Sequence, residues 1–282
     1  MTLCAVDCHM HVFGDRARFP FAEPRSYTVA PADVEQYWAA VAGTEIARAV
    51  VVQPSAYGTD NACTLDALDR LGDAGRGVAV IDPNTVTDAD LAGLHGRRIR
   101  GVRVNLRSVR AAARPIDDVL PKLGRLLSGS DWHIQVFCDA EALAELAGLQ
   151  PDLGVPLVLD HFGAIDPAQP DAHLGPMTRL LDGGAWVKLS GSYRISTGPG
   201  GDGVAELART LRDRTPDRMV WASDWPHTPN HSGAVADSET VVPYQPLDTA
   251  GLYRAVSDWF PDPATRRAIL QDNPRRLYGW PD

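Results

Sequence analysis

Cysteine is scarce in this sequence, and the cysteines that are present do not cluster. The 282 residues include four of them, and no two form a CxxC pair: Cys4, Cys8, Cys63 and Cys138. This scatter excludes a disulfide framework and a zinc knuckle, and it predicts reduced thiols. Cys8 stands between Asp7 and His9, but a cysteine on a strand is most often a small buried apolar residue, which is the interpretation we favour.

Long apolar runs and an excess of basic charge are also absent. No stretch approaches the ~18 uninterrupted apolar residues of a membrane span, and the first residues, MTLCAVDCHM, lack the basic start of a signal peptide. The formal net charge of -9 does not supply the basic face that phosphate binding needs. We therefore expect a cytoplasmic protein whose partners include neither nucleic acid nor a membrane, and the sequence leaves its oligomeric state open.

Short runs rich in valine and isoleucine recur along the chain and alternate with stretches of helical spacing. The hydrophobic fraction of 44% is enough for one large core. Eight runs are candidate strands: residues 5–11, 49–53, 77–81, 99–104, 133–137, 156–159, 186–189 and 219–222. Eight parallel strands are the number that closes a barrel. The sequence therefore predicts an α/β fold, a (β/α)8 TIM barrel, as a single domain over residues 1–282.

The predicted helices lie between and after these strands, at residues 32–42, 61–71, 88–94, 116–127, 141–149, 203–212, 249–259 and 263–277. Asp88 and Asp117 are the predicted N-caps of two of them. Two further stretches, near 13–31 and 226–246, are rich in proline, glycine and polar residues, and each follows the carboxyl end of a strand. Barrel enzymes keep their substrate loops at that end, so we predict that both stretches form the walls or lid of a pocket.

Four polar residues stand at the carboxyl ends of predicted strands. His9 and His11 end the first strand, and residues two apart on a strand share one face, so both should point toward the barrel axis. His161 follows the sixth strand and Asp224 follows the eighth. An isolated HxH is weak evidence, since two histidines can simply be core residues, but four such groups at strand ends indicate a catalytic centre.

The order of short motifs resembles a known family. The HxH pair is followed by VVVQPSAYGTDN, IRGVRVNL, LVLDHFG, KLSGSYRIS, SDWPH and DNPRRLYGW. This series resembles the amidohydrolase-2 family of the amidohydrolase superfamily. It is similar in particular to the 2-pyrone-4,6-dicarboxylate lactonase branch, which also has a counterpart of HVFGDRARFPFAEPRSYTVAP after the histidines. The resemblance covers nearly the whole chain, and it is more specific to the family than to one substrate.

The resemblance implies a hydrolase that opens a small carboxylated lactone. His9, His11 and His161 would surround and polarise the lactone carbonyl, and Asp224 would take a proton from the attacking water. Physical chemistry favours these roles, because donors fixed around a developing oxyanion lower the barrier and water at neutral pH benefits from a carboxylate base. The substrate would be an anionic lactone, either 2-pyrone-4,6-dicarboxylate or a related muconolactone or sugar lactone.

The resemblance also implies a set of residues that bind the substrate: Arg103, Arg107, Arg194, Tyr27 and Ser55. Arginine suits planar carboxylates because its guanidinium donates two parallel hydrogen bonds. Arg110 is an alternative to Arg107, because the spacing there is ambiguous. Where a tyrosine that contacts the substrate is expected, near the end of strand five, this chain has Phe137, which puts the dicarboxylated pyrone in doubt.

The sequence is not typical of a two-metal amidohydrolase. The lysine expected on the fourth strand is missing, since the only lysines are Lys122 and Lys188. The histidine of the fifth strand, His133, stands at its start, so it should lie at the far rim of the barrel. The lactonase branch works without metal, and we expect no cofactor. If one Zn2+ or Mn2+ is bound instead, the ligands would be His9, His11, His161 and Asp224.

Three other functions remain open on the same fold. A metal-dependent decarboxylase would release CO2, and a lactone isomerase would shift the ring without consuming water. A binding protein on an inactive barrel is the non-enzymatic alternative, because fold alone does not determine function. The presence of all four polar residues at strand ends disfavours the binding protein.

Overall fold

The computed structural model describes residues 3–108, 115–196, 203–229 and 240–281. Its centre is one sheet of eight parallel strands in the order of the sequence. The strands are β1 (Ala5–Met10), β2 (Ile46–Val52), β3 (Gly75–Ala79), β4 (Ile99–Asn105), β5 (His133–Phe137), β6 (Leu157–Leu159), β7 (Trp186–Leu189) and β8 (Met219–Trp221). All eight predicted strands are present, with ends that differ by up to three residues.

The sheet closes between its first and last strands. Asp224 donates its backbone N–H to the carbonyl of His9 over 2.9 Å, and the N–H of His11 reaches the carbonyl of Trp225 over 2.8 Å. These two bonds join the chain just after β8 to β1, so the described strands form a nearly closed barrel. The predicted (β/α)8 TIM barrel is confirmed.

Helices cover the outside of the barrel. They are α1 (Val34–Ala40), α2 (Ala62–Leu71), α3 (Asp88–Gly96), α4 (Ile116–Leu127), α5 (Leu143–Leu149), α6 (Asp171–Asp182), α7 (Ser192–Ile195), α8 (Val204–Arg214), α9 (Thr249–Trp259), α10 (Pro263–Arg267) and α11 (Asn273–Tyr278). Helices α6 and α7 were not among those predicted. None of the helices in the described ranges is long and apolar enough to cross a membrane.

The two predicted N-caps are wrong. The N-cap of helix α3 is Thr87, one residue before Asp88. The Thr87 hydroxyl accepts the N–H of Asp90, and the Asp90 carboxylate accepts the N–H of Thr87. Helix α4 follows Pro115, which has no side-chain hydrogen bond to offer. Asp88 and Asp117 instead lie in the first helical turn, where a negative charge is favoured by the helix dipole.

A bulge in β1 decides which of its side chains face the barrel interior. Asp7 pairs with Ala49 and Met10 with Val51, so three steps along β1 oppose two along β2. Within the bulge, Cys8 packs inside the barrel, while the carboxylate of Asp7, just before it, accepts the hydroxyl of Tyr37 on α1, outside the barrel. The extra residue shifts which side chains of β1 point inward, so that His9 and His11 both face the site.

The carboxyl-terminal residues close the amino end of the barrel. Tyr278 is fully buried, and Trp280 packs beside it in a cluster with the barrel-facing valines of the strands. His133, the first residue of β5, stacks edge-on against Tyr278 with ring centroids 5.3 Å apart. This confirms that His133 lies at the rim opposite the other histidines.

Candidate active site

The structure brings together the four polar residues predicted at the strand ends. His9 and His11 approach each other with their Nε2 atoms 3.2 Å apart. The Oδ1 atom of Asp224 lies 3.8 Å from His9 Nε2 and 3.7 Å from His11 Nε2, and its Oδ2 atom lies 4.0 Å from His161 Nε2. All four residues are almost completely buried. They therefore form one compact centre at the carboxyl end of the barrel.

Two of these residues have a backbone conformation that L-amino acids rarely adopt. The φ angle is +51° at His161 and +60° at Asp224, both in the left-handed region. This conformation reduces the stability of the folded protein by about 1–3 kcal/mol per residue, and it persists only where surrounding bonds hold the residue in place. Asp224 is held on both sides, because its N–H reaches His9 and its carbonyl accepts the N–H of His227. The site therefore includes strain that the barrel supports.

The hydrogen bonds of His9 and His11 define their tautomers. His9 Nδ1 lies 3.2 Å from Asp160 Oδ1, and His11 Nδ1 lies 2.7 Å from the carbonyl oxygen of Val52. A carboxylate and a carbonyl can only accept, so both Nδ1 atoms carry the hydrogen. Both Nε2 atoms consequently present lone pairs toward Asp224.

Burial keeps these histidines neutral. It lowers the pKa of His11 to about 3, with help from the positive charge of Arg103, and it lowers the pKa of His161 to about 4. The pKa of His9 is also well below its usual range, again because of burial. His161 differs in its partner, since its Nδ1 lies 2.9 Å from the hydroxyl of Ser190, which can either donate or accept.

The two oxygens of Asp224 have different surroundings. Oδ2 accepts hydrogen bonds from Arg194 Nε over 2.5 Å and from the Tyr193 hydroxyl over 2.6 Å. Oδ1 has no hydrogen-bond partner within the described ranges, and it faces His9 and His11. Burial alone would raise the pKa of Asp224, but the charge of the Arg194 guanidinium holds it well below its usual range. Asp224 is therefore an ionised carboxylate with one oxygen directed into the site.

This arrangement fits a single divalent cation. His9 Nε2, His11 Nε2 and Asp224 Oδ1 are three acceptors that converge without a donor between them, and histidine nitrogens with a carboxylate oxygen are ligands that Zn2+ and Mn2+ accept. These three belong to the predicted ligand set. The fourth, His161, forms a separate group of possible ligands with His9 and Asp160, although its Nε2 also lies 4.0 Å from Asp224 Oδ2. The same convergence of acceptors also suits a water molecule that donates its hydrogens.

Three of the predicted substrate-binding residues lie around this centre. Arg194 contacts Asp224 and also donates to the hydroxyl of Thr228 over 3.0 Å. Arg103 is buried, with Nε 3.4 Å from Asp160 Oδ2. Tyr27 is buried as well; burial raises the pKa of its hydroxyl, although a hydrogen bond with Ser55 and the charge of Arg103 oppose that rise.

Arg107 lies farther out, at the rim. Its Nε lies 3.0 Å from Asp139 Oδ1, and its guanidinium lies 5.1 Å from the centre of the Phe137 ring. Phe137 in turn contacts His161 edge-on, with ring centroids 4.7 Å apart. Arg107 and Arg194 line one cavity of about 310 Å³. Arg110, the alternative to Arg107, lies outside the described residues.

A second cavity, of about 380 Å³, is lined by both Ser55 and Arg103. Most of its remaining wall is apolar and includes Val80, Val102 and Leu123. Two of the residues predicted to bind the substrate therefore open onto a space that could admit a small organic molecule.

The two predicted pocket loops contact each other. Thr28 pairs with Val241 in a short parallel bridge, in which the N–H of Val242 reaches the carbonyl of Thr28 over 2.8 Å. The hydroxyl of Tyr244 donates to the carbonyl of Ala30. Residues 230–239 of the second loop lie outside the described residues. The parts that are described place the loops side by side after β1 and β8.

Three buried polar residues below His9 were not predicted to belong to the site. They are Asp160, Gln135 on β5 and Lys188 on β7, and each is fully or almost fully buried. Gln135 Nε2 donates to Asp160 Oδ2 over 2.9 Å, and Lys188 Nζ lies 3.7 Å from Asp160 Oδ1. The signal was present in the sequence, because glutamine and lysine are rare inside otherwise apolar barrel strands.

The fold and this centre define a parallel β-barrel protein with a buried histidine and aspartate site at the carboxyl ends of its strands. Residues 6–280 match the sequence profile of the amidohydrolase family, and the chain belongs to that family. It is 34% identical over 281 residues to 4-sulfomuconolactone hydrolase of Rhizobium radiobacter, covering 98% of this chain and 90% of the relative. It is 33% identical over 293 residues to 2-pyrone-4,6-dicarboxylate hydrolase of Comamonas testosteroni, covering 99% and 90%.

Solved structures agree with the fold. A crystal structure of a "probable 2-pyrone-4,6-dicarboxylic acid hydrolase" from Acinetobacter baumannii, with citric acid bound, has a TM-score of 0.79 at 25% identity and covers 99% of this chain and all of that one. A more distant amidohydrolase from Burkholderia multivorans, with a TM-score of 0.72 and 19% identity over 99% of this chain and all of that one, contains bound zinc. The resemblance to this family and to its lactonase branch is confirmed.

Proposed function

We propose that this protein hydrolyses a small carboxylated lactone, with 2-pyrone-4,6-dicarboxylate, a muconolactone or a sugar lactone as the substrate class. The observation that carries the proposal is the free Oδ1 of an ionised Asp224, directed at two neutral histidines inside a barrel. Two relatives about one-third identical over nearly the whole chain are named as lactone hydrolases, which supports the same reaction.

Asp224 is the base in the proposed reaction. A water molecule near Oδ1 loses a proton to Asp224 as its oxygen attacks the lactone carbonyl carbon. The ester bond to the ring oxygen then breaks, and the ring oxygen receives the proton from Asp224. One water is consumed, and the product has a new hydroxyl and a new carboxylic acid, which releases its proton to solvent at neutral pH.

His161 is the residue that can donate to the carbonyl oxygen. If the Ser190 hydroxyl donates to His161 Nδ1, the hydrogen of the ring lies on Nε2, which faces the site. The Nδ1 hydrogens of His9 and His11 are bound to Asp160 and to the carbonyl of Val52, so the Nε2 atoms of both rings can only accept hydrogen bonds in the site. A divalent cation held by His9, His11 and Asp224 would supply Lewis-acid polarisation of the carbonyl when bound.

The arginines provide the affinity for an anionic substrate. Arg103 and Arg194 lie within the buried site and Arg107 at its rim, so carboxylates on either side of a lactone ring can be bound within a chain of net charge -9. We include Tyr27 and Ser55 in this subsite. Residues 1–282 act as one domain in this proposal, with the loops near 13–31 and 226–246 as the walls of the pocket.

The test is a hydrolysis assay on chelator-treated enzyme whose metal content has been measured. The panel contains 2-pyrone-4,6-dicarboxylate, a muconolactone and a sugar lactone, and it is run in 18O-labelled water. Ring opening with one labelled oxygen supports hydrolysis. Activity only after Zn2+ or Mn2+ is restored makes the three acceptors metal ligands.

Two results would refute lactone hydrolysis. Conversion of a lactone to an isomer without incorporation of label would indicate an isomerase, and release of CO2 would indicate a decarboxylase. Asp224→Asn is the matched control, since it keeps the shape of the side chain and removes the base.

A further inference from the structure

Lys188 is a buried cation that the proposed reaction does not use. Its Nζ donates to the carbonyl of Cys8 over 2.8 Å and to Gln135 Oε1 over 2.6 Å, and it lies 3.7 Å from Asp160 Oδ1. It is fully buried beneath the site, and within the described ranges it forms no hydrogen bond or ion pair with His11, His161 or Asp224. The other lysine of the chain, Lys122, is partly exposed on α4. Any effect of Lys188 on the site is therefore transmitted through its neighbours.

The contact with Lys188 sets the orientation of the Gln135 amide. An ammonium group has only hydrogens to donate, so the amide must present Oε1 to Nζ and its NH2 group to the opposite side. On that side Nε2 lies 2.9 Å from Asp160 Oδ2 and 3.5 Å from His9 Nδ1. The carboxylate is the closer acceptor and takes the hydrogen.

Asp160 is consequently surrounded by donors. Gln135 and Arg103 approach its Oδ2, and Lys188 approaches its Oδ1. Although burial alone would raise the pKa of Asp160, His9, Lys188 and Arg103 hold it well below its usual range. A carboxylate in such a setting remains ionised and can only accept, so it binds the Nδ1–H of His9.

Lys188 also holds the backbone of β1 next to His9. The carbonyl of Cys8 that it binds lies in the bulged stretch, one residue before the histidine. A single ammonium group thus contacts the strand that carries His9 and the two side chains that lead to its ring.

We propose that Lys188, acting through Gln135 and Asp160, is a positioning residue that keeps His9 in the Nδ1–H tautomer with the Nε2 lone pair in the site. The effect on turnover rests on the proposed function, whereas the tautomer does not. Removal of Lys188 frees the Gln135 amide to rotate and takes one donor from Asp160. His9 then loses its fixed tautomer while the arginines around the substrate stay in place.

The test combines nuclear magnetic resonance with kinetics on chelator-treated enzyme. Protein labelled with 15N in its histidines reports which ring nitrogen of His9 carries the hydrogen, and His9→Gln assigns the signal. We expect the Nδ1–H tautomer in the wild type, and the Nε2–H tautomer or a mixture in Lys188→Met. We expect kcat to fall about 10- to 100-fold in the variant, with KM changed less than about threefold. Lys122→Met is the matched control and should resemble the wild type in both measurements.

Gln135→Leu provides a second variant should Lys188→Met fail to fold, because it breaks the same chain of contacts without changing a charge. It should shift the His9 tautomer in the same direction. An unchanged His9 tautomer in a folded variant, or an Nε2–H tautomer in the wild type, would overturn the role of Lys188. A wild type that is inactive on every lactone would refute the proposed function instead, and the tautomer measurement would still stand.

Discussion

Asp7 is a buried carboxylate outside the proposed chemistry, and its ionisation should reduce the stability of the fold. Its Oδ1 accepts the N–H groups of His9 and Ser223 over 3.1 and 2.9 Å, and its Oδ2 accepts the hydroxyl of Tyr37. Burial raises the pKa of Asp7 from an ordinary 3.8 to about 6, although these hydrogen bonds oppose the rise.

The direction of the pH dependence follows from this difference. Because the pKa of Asp7 is higher in the folded protein than in the unfolded chain, the folded protein binds more protons between about pH 4 and pH 6. The free energy of unfolding should therefore fall as the pH rises through that window. At about 1.4 kcal/mol per pH unit, the loss due to Asp7 amounts to about 3 kcal/mol at neutral pH.

Asp7→Asn should remove this loss. The amide oxygen can accept the same two backbone N–H groups, and the NH2 group can donate to the oxygen of Tyr37. The variant should match the wild type near pH 4 and be more stable by about 3 kcal/mol near pH 7.5.

Urea unfolding of metal-free protein, followed by tryptophan fluorescence at a series of pH values, measures the difference. Asp258→Asn, at an exposed position of α9, is the control and should give the same curve as the wild type. A gap between Asp7→Asn and the wild type that stays constant from pH 4 to pH 7.5 would show that Asp7 does not titrate as its burial implies.

Three further predictions concern the site. In Asp224→Asn the amide oxygen should keep the hydrogen bond with Arg194, and the NH2 group should take the place of Oδ1. Because the base is lost, kcat should fall by about 10²- to 10⁴-fold, while calorimetry still detects substrate binding. Near wild-type turnover would mean that another group is the base. Arg107→Met should raise KM about tenfold or more with little change in kcat, because this arginine lies at the rim, and an unchanged KM in steady-state kinetics would remove it from the substrate subsite. In Gly191→Ala the new Cβ would lie 2.7 Å from His161 Nδ1 at a φ of +56°, so thermal unfolding should show a free energy of unfolding lower by about 1–3 kcal/mol, and kcat/KM should fall. The control is Gly93→Ala on α3, whose Cβ meets nothing within 4 Å and which should lower neither quantity. Equal effects of the two variants would contradict the argument.

Much of the fold could be predicted because barrel strands are buried on both faces and appear as short apolar runs. Counting those runs predicted the number of strands, and eight strands predicted a barrel. Strand ends were less certain, as in β3, which is Gly75–Ala79 rather than 77–81. Main-chain pairing with the neighbouring strands decides these ends, and a single strand's sequence does not contain that information.

The convergence of His9, His11, His161 and Asp224 was also predictable, because parallel strands end at one edge of a barrel. Their detailed roles were not. The left-handed backbone at His161 and Asp224 depends on bonds to distant residues, and the Nδ1–H tautomer of His9 depends on Asp160. Such features arise from tertiary contacts, so no local pattern reports them.

The seam between β1 and β8 has a consequence for how the chain acquires its structure during synthesis. Strand β1 is synthesised before the other strands, and its neighbour β8 is made more than two hundred residues later. Tyr278, which packs against the interior face of β1, is made later still. Until then one side of β1 has no partner strand, and the polar edge that bears His9 stays accessible to other chains. Pairings of such long sequence separation form slowly. One edge of the first strand is therefore exposed in a nascent chain of this protein until the last strand is made.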